Sequence, residues 1–150
     1  MGTVQIREKE GKDVQIARLA QTFRLADIYV FGSRAKEIAA KIRGSKADEP
    51  ASSSDVDIAI RPFHGTKLSP RDLVNITIEL TDLLGVTKVD LVLLPDCDPF
   101  LAFDIIRGEL VHTADPVDQA RYELFVLRRA GDLIPFKKER MELILEGHGR

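Results

Sequence analysis

Cysteine is almost absent from this chain. The single cysteine, Cys97, cannot form an intrachain disulfide or supply a cysteine-based zinc site. We interpret Cys97 as an ordinary side chain in a loop. Any metal site in this protein therefore has to use other ligands.

The sequence also lacks long hydrophobic runs and a strong excess of one charge. No apolar stretch approaches the roughly 18 residues of a membrane span. The N-terminus, with Arg7, Glu8, Lys9 and Glu10, lacks the apolar core of a signal peptide. We therefore expect a soluble, cytoplasmic protein without a membrane partner. The formal net charge of −2 argues against general nucleic-acid binding.

The composition that remains is that of a globular protein, with 44% hydrophobic and 31% charged residues among 150. Helical and strand-like patterns alternate along the chain, which predicts an α/β (α+β) fold with one mixed β-sheet and helices mainly on one face. We interpret residues 1–150 as one domain, with a catalytic core over 13–113 and a C-terminal helical segment over 115–146. The predicted helix starts are Asp13, Ser69, Asp98 and Asp115, each as an N-cap.

Three acids lie in two apolar runs. Asp55 and Asp57 alternate with apolar residues in the run that ends at Ile60. Because residues two apart in a strand share a face, both carboxylates should project together. Asp90 lies in the run from Val89 to Leu94, and all three carboxylates converge if the two strands are neighbours. The alternative for Asp90 is a paired carboxylate at a sheet edge.

Three such carboxylates need a positive charge beside them. Two unit charges about 5 Å apart repel by roughly 3 kcal/mol at an effective dielectric constant of about 20. Hard divalent cations such as Mg²⁺ take oxygen ligands and are commonly bound by carboxylates together with substrate phosphates. Gly32 and Ser33 follow an apolar strand, and a glycine turn leading into a helix presents N–H groups and a hydroxyl to an anion. The stretch therefore predicts a metal and triphosphate site.

The order Gly32-Ser33, Ser54-Asp55-Val56-Asp57 and a later strand with Asp90 resembles the DNA polymerase beta-like nucleotidyltransferase superfamily. The small size is similar to its minimal nucleotidyltransferase (MNT) branch, which includes antitoxins that adenylylate a HEPN-family toxin. The resemblance implies the nucleotidyltransferase fold, ATP as substrate, and two Mg²⁺ ions held by the catalytic acids Asp55, Asp57 and Asp90. It also implies nucleotide contacts from Gly32, Ser33, Arg34 and Ser54.

The chain departs from the family pattern after Ala35, where Lys36 and Glu37 follow. Asp55 lies 22 positions after Ser33, a longer interval than the family usually shows, and we interpret residues 36–54 as an insertion. Its role as a lid, a partner-contact loop or a neutral insertion stays open. The insertion carries three candidate phosphate contacts, namely Lys41, Arg43 and Lys46.

The C-terminal segment is more apolar than one face of a single domain needs. We expect a helix with a break or kink near Ile134-Pro135, because proline removes a helical hydrogen bond. Its apolar set suggests a surface for a partner protein or a second copy, and core packing is the competing interpretation. This set comprises Tyr122, Phe125, Val126, Leu133, Ile134, Phe136, Met141, Ile144 and Leu145.

The predicted reaction is transfer of AMP from ATP to a hydroxyl of a partner protein, which makes the chain an antitoxin that neutralises a HEPN-family toxin. Two alternatives remain from the sequence. One is an antitoxin that acts by binding alone, and the other is a nucleotidyltransferase that modifies a small molecule such as an aminoglycoside. An acid–base role for His64 is also an option, although a solvated loop histidine is the simpler interpretation.

Overall fold

The computed structural model describes residues 10–45 and 55–148, without the side chains of residues 136–138, 141–142 and 144–148. The helices are α1 (Lys12–Phe23), α2 (Ala35–Ile42), α3 (Pro70–Leu84), α4 (Pro99–Ile106) and α5 (Pro116–His148). The strands are β1 (Leu25–Phe31), β2 (Val56–Pro62), β3 (Val89–Leu93) and β4 (Glu109–Thr113). In the residues covered by these ranges and their connections, no helix combines the length and hydropathy that crossing a membrane requires.

The four strands form one mixed sheet in the order β3-β2-β1-β4. Strand β1 pairs antiparallel with both β2 and β4, whereas β2 pairs parallel with β3. A parallel pair needs a long crossover connection, and α3 supplies it. Strand β3 is the first strand in this order and so lies at an edge of the sheet, which places Asp90 at that edge.

The larger hydrophobic core lies between the sheet and helices α1, α2 and α3. Alternate residues of β2, namely Val56, Ile58 and Ile60, are buried in it, as the period-two pattern predicts. Helix α3 contributes one apolar residue per turn from a single stripe, namely Ile76, Leu80 and Leu84.

A smaller core lies on the opposite face of the sheet. There Tyr29 and Ala59 pack with Ala102 and Ile105 of α4 and with Val126 of α5. The sheet thus carries three helices on one face and two on the other. Both the predicted α/β class and the mixed sheet are confirmed.

Short polar residues and glycine set the helix limits, as the sequence predicts. The Ser69 hydroxyl accepts from the Asp72 N–H at 3.1 Å, and the Asp72 carboxylate accepts from the Ser69 N–H at 2.9 Å. Gly85 ends α3 in the left-handed conformation. Asp98 and Asp115 accept backbone N–H groups from the first turns of α4 and α5.

The predicted N-cap at Asp13 is wrong. Helix α1 begins at Lys12, and its N-cap is Gly11, which makes no side-chain capping bond. Asp13 lies in the first turn instead. Its negative charge is favourable there because the N-terminal end of a helix carries partial positive charge.

Of the break or kink predicted near Ile134-Pro135, the break is wrong. Helix α5 runs continuously from Pro116 to His148 with Pro135 inside it. A proline removes one hydrogen bond and crowds the carbonyl four residues earlier. The helix nevertheless continues on both sides of Pro135.

Candidate active site

Two of the predicted catalytic acids face each other on neighbouring parallel strands. Asp57 of β2 is in register with Asp90 of β3. Asp55 lies directly before β2, and its side chain is 44% exposed, close to the 45% of Asp90. Asp57 and Asp90 are both partly buried, whereas Asp55 is exposed. The structure thus brings the three acids together at one end of β2 and β3.

The acid cluster is poorly compensated. Burial raises the pKa of the Asp57 carboxyl, and the charges of Asp90 and Asp55 raise it further. The Lys88 ammonium lies 3.4 Å from Asp55 Oδ2 and 3.5 Å from Asp90 Oδ1, and these two carboxylates raise the pKa of Lys88. Lys88 is exposed, and Asp57 forms no ion pair within the described part of the chain.

The donor chemistry of this cluster fits a hard divalent cation. Within residues 10–45 and 55–148, no three acidic, histidine or cysteine side chains are grouped closely enough to enclose a metal ion as they stand. Carboxylate oxygens are nevertheless the ligands that Mg²⁺ prefers. The Lys88 ammonium occupies the position between two of the acids where positive charge is needed.

Gly32 places the predicted phosphate loop against this cluster. Strand β1 ends at Phe31, which pairs with Asp57 on β2. Gly32 has a φ of 80°, a conformation that favours glycine. A Cβ at this position would collide with Oδ2 of Asp57. The Gly-Ser loop and the acids therefore form one continuous site.

A cavity of about 400 Å³ opens beside this loop. Its walls are the loop, the first turn of α2 and the turn between α4 and β4, with the lining residues Gly32, Ser33, Ala35, Lys36, Asp104, Arg107, Gly108 and Glu109. The N-terminal end of a helix presents free N–H groups and partial positive charge to an anion. The cavity thus suits the phosphates of a nucleotide bound next to the acids.

Two cationic residues of this cavity, Lys36 and Arg107, were missed by the sequence interpretation. Lys36 stands directly after Ala35, where the sequence departs from the family pattern. Arg107 reaches the cavity because Gly108 lets the chain pass close to Val30, whose carbonyl oxygen would lie 2.5 Å from an added Cβ. No sequence pattern links Arg107 to the Gly-Ser loop.

Three predicted phosphate contacts are engaged by other groups. Arg34 forms an ion pair with Glu37 at 2.6 Å, which raises the pKa of the guanidinium. Lys41 donates to the last carbonyl of α3 at 2.6 Å. Arg43 donates to a carbonyl of β4 at 3.1 Å. Each would have to leave its present partner to contact a nucleotide.

The other candidates do not join the site. Ser54 and Lys46 lie outside the described residues. His64 lines a different cavity, of about 760 Å³, beyond the opposite end of β2. The Cys97 thiol contacts the Leu93 carbonyl at 3.3 Å, and burial raises its pKa. A raised pKa disfavours the nucleophilic thiolate, which agrees with the interpretation of Cys97 as an ordinary side chain.

The acid cluster is open on the side of the edge strand. A groove of about 730 Å³ runs along β3 between α3 and the start of α4, and Asp90 is one of its lining residues. Val74 and Ile78 of α3 line the groove and are 57% and 52% exposed. An acceptor molecule therefore has room to approach Asp90 from the side opposite the Gly-Ser loop.

Acids on adjacent strands, placed against a Gly-Ser loop, define the nucleotidyltransferase class of α/β proteins. The polymerase beta nucleotidyltransferase family matches residues 15–117, a range that includes the whole sheet, the loop and the three acids. The chain belongs to this family, so the predicted family is confirmed and the protein is a nucleotidyltransferase. Among curated proteins, none matches the chain significantly.

The fold resembles chains of solved toxin–antitoxin complexes. One, from a toxin–antitoxin complex with AMP-PNP, has 18% sequence identity and a TM-score of 0.66, and the match covers 89% of this chain and 98% of that chain. Another comes from the Shewanella oneidensis complex of a tri-AMPylated HEPN toxin with an MNT antitoxin, with 20% identity, a TM-score of 0.57, and coverage of 91% and 96%. At such identities the similarity shows the fold.

Proposed function

We propose that the chain transfers AMP from ATP to a hydroxyl of a partner protein and releases pyrophosphate. The partner is a HEPN-family toxin, which the modification neutralises. The observation that carries this proposal is the in-register pair Asp57 and Asp90, left without a buried counter-charge beside a glycine loop and its adjoining cavity. Such a pair is costly to the fold unless a ligand supplies the positive charge.

Asp55, Asp57 and Asp90 would hold two Mg²⁺ ions, which would neutralise the triphosphate and lower the pKa of the acceptor hydroxyl. Asp90 lies on the open side of the cluster, which supports it as the residue that would take the acceptor proton. The Lys88 ammonium is exposed and would have to move away from Asp55 and Asp90 for their carboxylates to hold a cation.

The triphosphate would lie along the Gly-Ser loop. Gly32 and Ser33 offer N–H groups and a hydroxyl, and Lys36 and Arg107 supply cationic contacts from the walls of the same cavity. In this position the bond between the α- and β-phosphates, which breaks when AMP is transferred, would lie between the loop and the acids. Positioning and charge neutralisation then provide the catalysis, as is general for phosphoryl-type transfer. Arg34 and Ser54 stay predicted nucleotide contacts.

The groove along β3 and the structural relatives support a protein as the acceptor. The groove is apolar and open, which fits a segment of another chain better than a small polar molecule. The similar solved structures include one with an ATP analogue and one with an AMPylated toxin. These two structures support ATP as the nucleotide and a HEPN-family toxin as the partner.

Neutralisation by binding alone is the second candidate. The ion pair between Arg34 and Glu37 and the changed sequence after Ala35 favour it, because both alter the phosphate side of the site. In that case the acid cluster would be a remnant, and toxin inhibition would not need ATP.

The intact mass of a co-expressed HEPN-family protein, incubated with ATP and Mg²⁺, separates these candidates. Wild-type protein should add one or more AMP units, and Asp55→Ala/Asp57→Ala should add none. The matched control is Asp82→Asn, an exposed acid of α3 that should behave as wild type. Suppressed toxicity without any gain in mass would refute nucleotidyl transfer and favour binding alone.

A further inference from the structure

Helix α5 carries an exposed apolar line that the nucleotidyl-transfer site does not use. Its members follow one another in alternating steps of three and four residues. This is the spacing of the contact seam in paired helices. We call the line the α5 stripe, and it consists of Val117, Ala120, Leu124, Leu127, Gly131 and Ile134.

The stripe is separate from the face that packs on the body of the protein. That packed face is marked by Gln119, Val126 and Ala130, which are 9%, 2% and 3% exposed. In contrast, Leu124 and Ile134 of the stripe are 52% and 54% exposed. Helix α5 therefore has two apolar surfaces, and only one of them is covered within the described structure.

An uncovered stripe on such a long helix indicates a missing partner. At 1.5 Å per residue the helix is about 50 Å long, and from Gly131 onward none of its described side chains is buried. Helices gain most of their stability from packing an apolar face, and extended apolar patches on protein surfaces mark interaction sites. The regular seam spacing identifies the missing element as another helix.

Charge next to the stripe distinguishes between a second copy and a different protein. Arg121 and Arg128 are exposed and flank the stripe on its solvent side. If two copies overlapped this stripe in antiparallel orientation, Arg121 of each would approach Arg128 of the other. A parallel pair would instead need Glu123 opposite Arg128, but Glu123 already accepts from Tyr29 and Gln119 at 2.8 and 2.6 Å. Both self-pairings are therefore unfavourable.

We propose that the α5 stripe binds an amphipathic helix of the acceptor protein, whose acidic side chains meet Arg121 and Arg128. The inference rests on the proposed function, because the bound helix belongs to the protein that receives AMP. The location suits this role. Asp57 and Ala59 share one face of β2, and Ala59 packs in the cluster that includes Val126 of α5. A partner bound to α5 thus lies on the Asp57 side of the sheet.

Binding of the candidate HEPN-family protein, measured by biolayer interferometry without ATP, tests the stripe. Leu124→Asp and Leu127→Asp should each raise the dissociation constant about tenfold or more, as is typical for a central interface residue. Val14→Asp, at a 46% exposed site on α1, is the matched control and should bind as wild type. Arg121→Glu/Arg128→Glu should weaken binding more at low salt than at high salt. Circular dichroism confirms that each variant is folded.

Three results would overturn the proposal. The stripe variants could bind as tightly as wild type, the wild-type chain could fail to bind the partner, or the chain alone could form a dimer that Leu124→Asp dissociates. The last result would assign the stripe to a second copy. Failure of the proposed function looks different, because wild type would then bind through the stripe but add no mass to the partner in the presence of ATP and Mg²⁺.

Discussion

Two groups of acidic side chains lie on the same side of strand β2, at its opposite ends, and they differ in compensation. At one end Asp57 meets Asp90 with an exposed lysine nearby. At the other end Arg61 binds Asp27 at 2.6 Å and Asp118 at 2.7 Å, and it lies 4.6 Å from the ring centre of Tyr122. The second group contains a buried, hydrogen-bonded cation that the first group lacks.

This difference separates a group that stabilises the fold from a group that we assign to function, at opposite ends of one strand. A buried carboxylate paired with a guanidinium by short hydrogen bonds is a completed interaction, which the folded chain satisfies by itself. A half-buried carboxylate with a raised pKa and two like charges beside it is incomplete. The incomplete group is the one next to the Gly-Ser loop and its cavity. The lack of charge compensation, rather than the number of acids, is therefore what distinguishes the proposed ligand site.

The largest expected effect is on activity. Asp57→Ala should reduce AMP transfer by about 10²–10³-fold or more, the range seen when a key electrostatic group is lost from an active site. Its fold should remain intact because no partner of Asp57 is left unpaired. Asp118→Ala removes the same charge from the compensated group and should retain transfer. Mass spectrometry of the modified partner measures both, and equal losses would contradict the distinction between the groups.

The next effect is on stability. Arg61→Ala should lower the free energy of unfolding by about 3–5 kcal/mol, because it leaves Asp27 charged and unpaired in the interior. The other carboxylate oxygen of Asp27, Oδ1, already lacks a hydrogen-bond partner among the described residues. Urea denaturation measures the loss. Arg43→Ala, which removes an exposed ion pair with Glu109, should cost less than about 1 kcal/mol. Similar losses in the two variants would contradict the structural role of Arg61.

A pair of glycines tests the contact between the loop and the acids. Gly32 and Gly44 have φ values of 80° and 86°, so an alanine at either position should cost about 1–2 kcal/mol of stability. An added Cβ collides with Asp57 at Gly32 but meets nothing within 4 Å at Gly44. We therefore expect Gly32→Ala to lose transfer activity and Gly44→Ala to keep it. Full activity in a folded Gly32→Ala variant would show that the loop is not part of the site.

The smallest effect concerns pH. Burial lowers the pKa of His112 below its ordinary 6.5, although the charge of Asp27 opposes the shift. The folded state thus prefers neutral imidazole, so this contribution to stability is complete above pH 6.5 and declines as the pH falls toward the lowered pKa. His112→Gln should flatten that decline in urea titrations between pH 7 and 5. His64→Gln, at an exposed site, should not, and an unchanged slope in His112→Gln would refute the assignment.

Much of the fold was predictable because local rules determine it. Alternation in β2, the capping residues Ser69, Asp98 and Asp115, and Gly85 each depend on neighbours within a few residues. The errors at Asp13 and Pro135 have a common cause. Aspartate often begins a helix and proline often ends one, but here Asp13 and Pro135 both lie inside a helix.

The site was only partly predictable. Asp55, Asp57, Asp90 and Gly32 stay predictions from spacing and family resemblance, and the register of β2 with β3 brings Asp57 and Asp90 together as expected. The contrast between Asp57 and the Arg61 network could not be predicted, since Asp27 and Asp118 are distant in the sequence from Arg61. Arg107 was missed for the same reason. Whether a carboxylate is paired with a cation depends on tertiary contacts, which the sequence pattern does not reveal.

Thermal unfolding of wild type and Asp57→Asn, each with and without Mg²⁺, tests the central distinction most directly. Without Mg²⁺ we predict a higher Tm for Asp57→Asn, because the raised pKa of Asp57 means that its ionised form destabilises the fold at neutral pH. With Mg²⁺ the Tm of wild type should rise by mass action, while that of Asp57→Asn should change little. Equal Mg²⁺ responses in the two proteins, or a Tm of Asp57→Asn as low as that of Arg61→Ala, would contradict the assignment of Asp57 to a metal site.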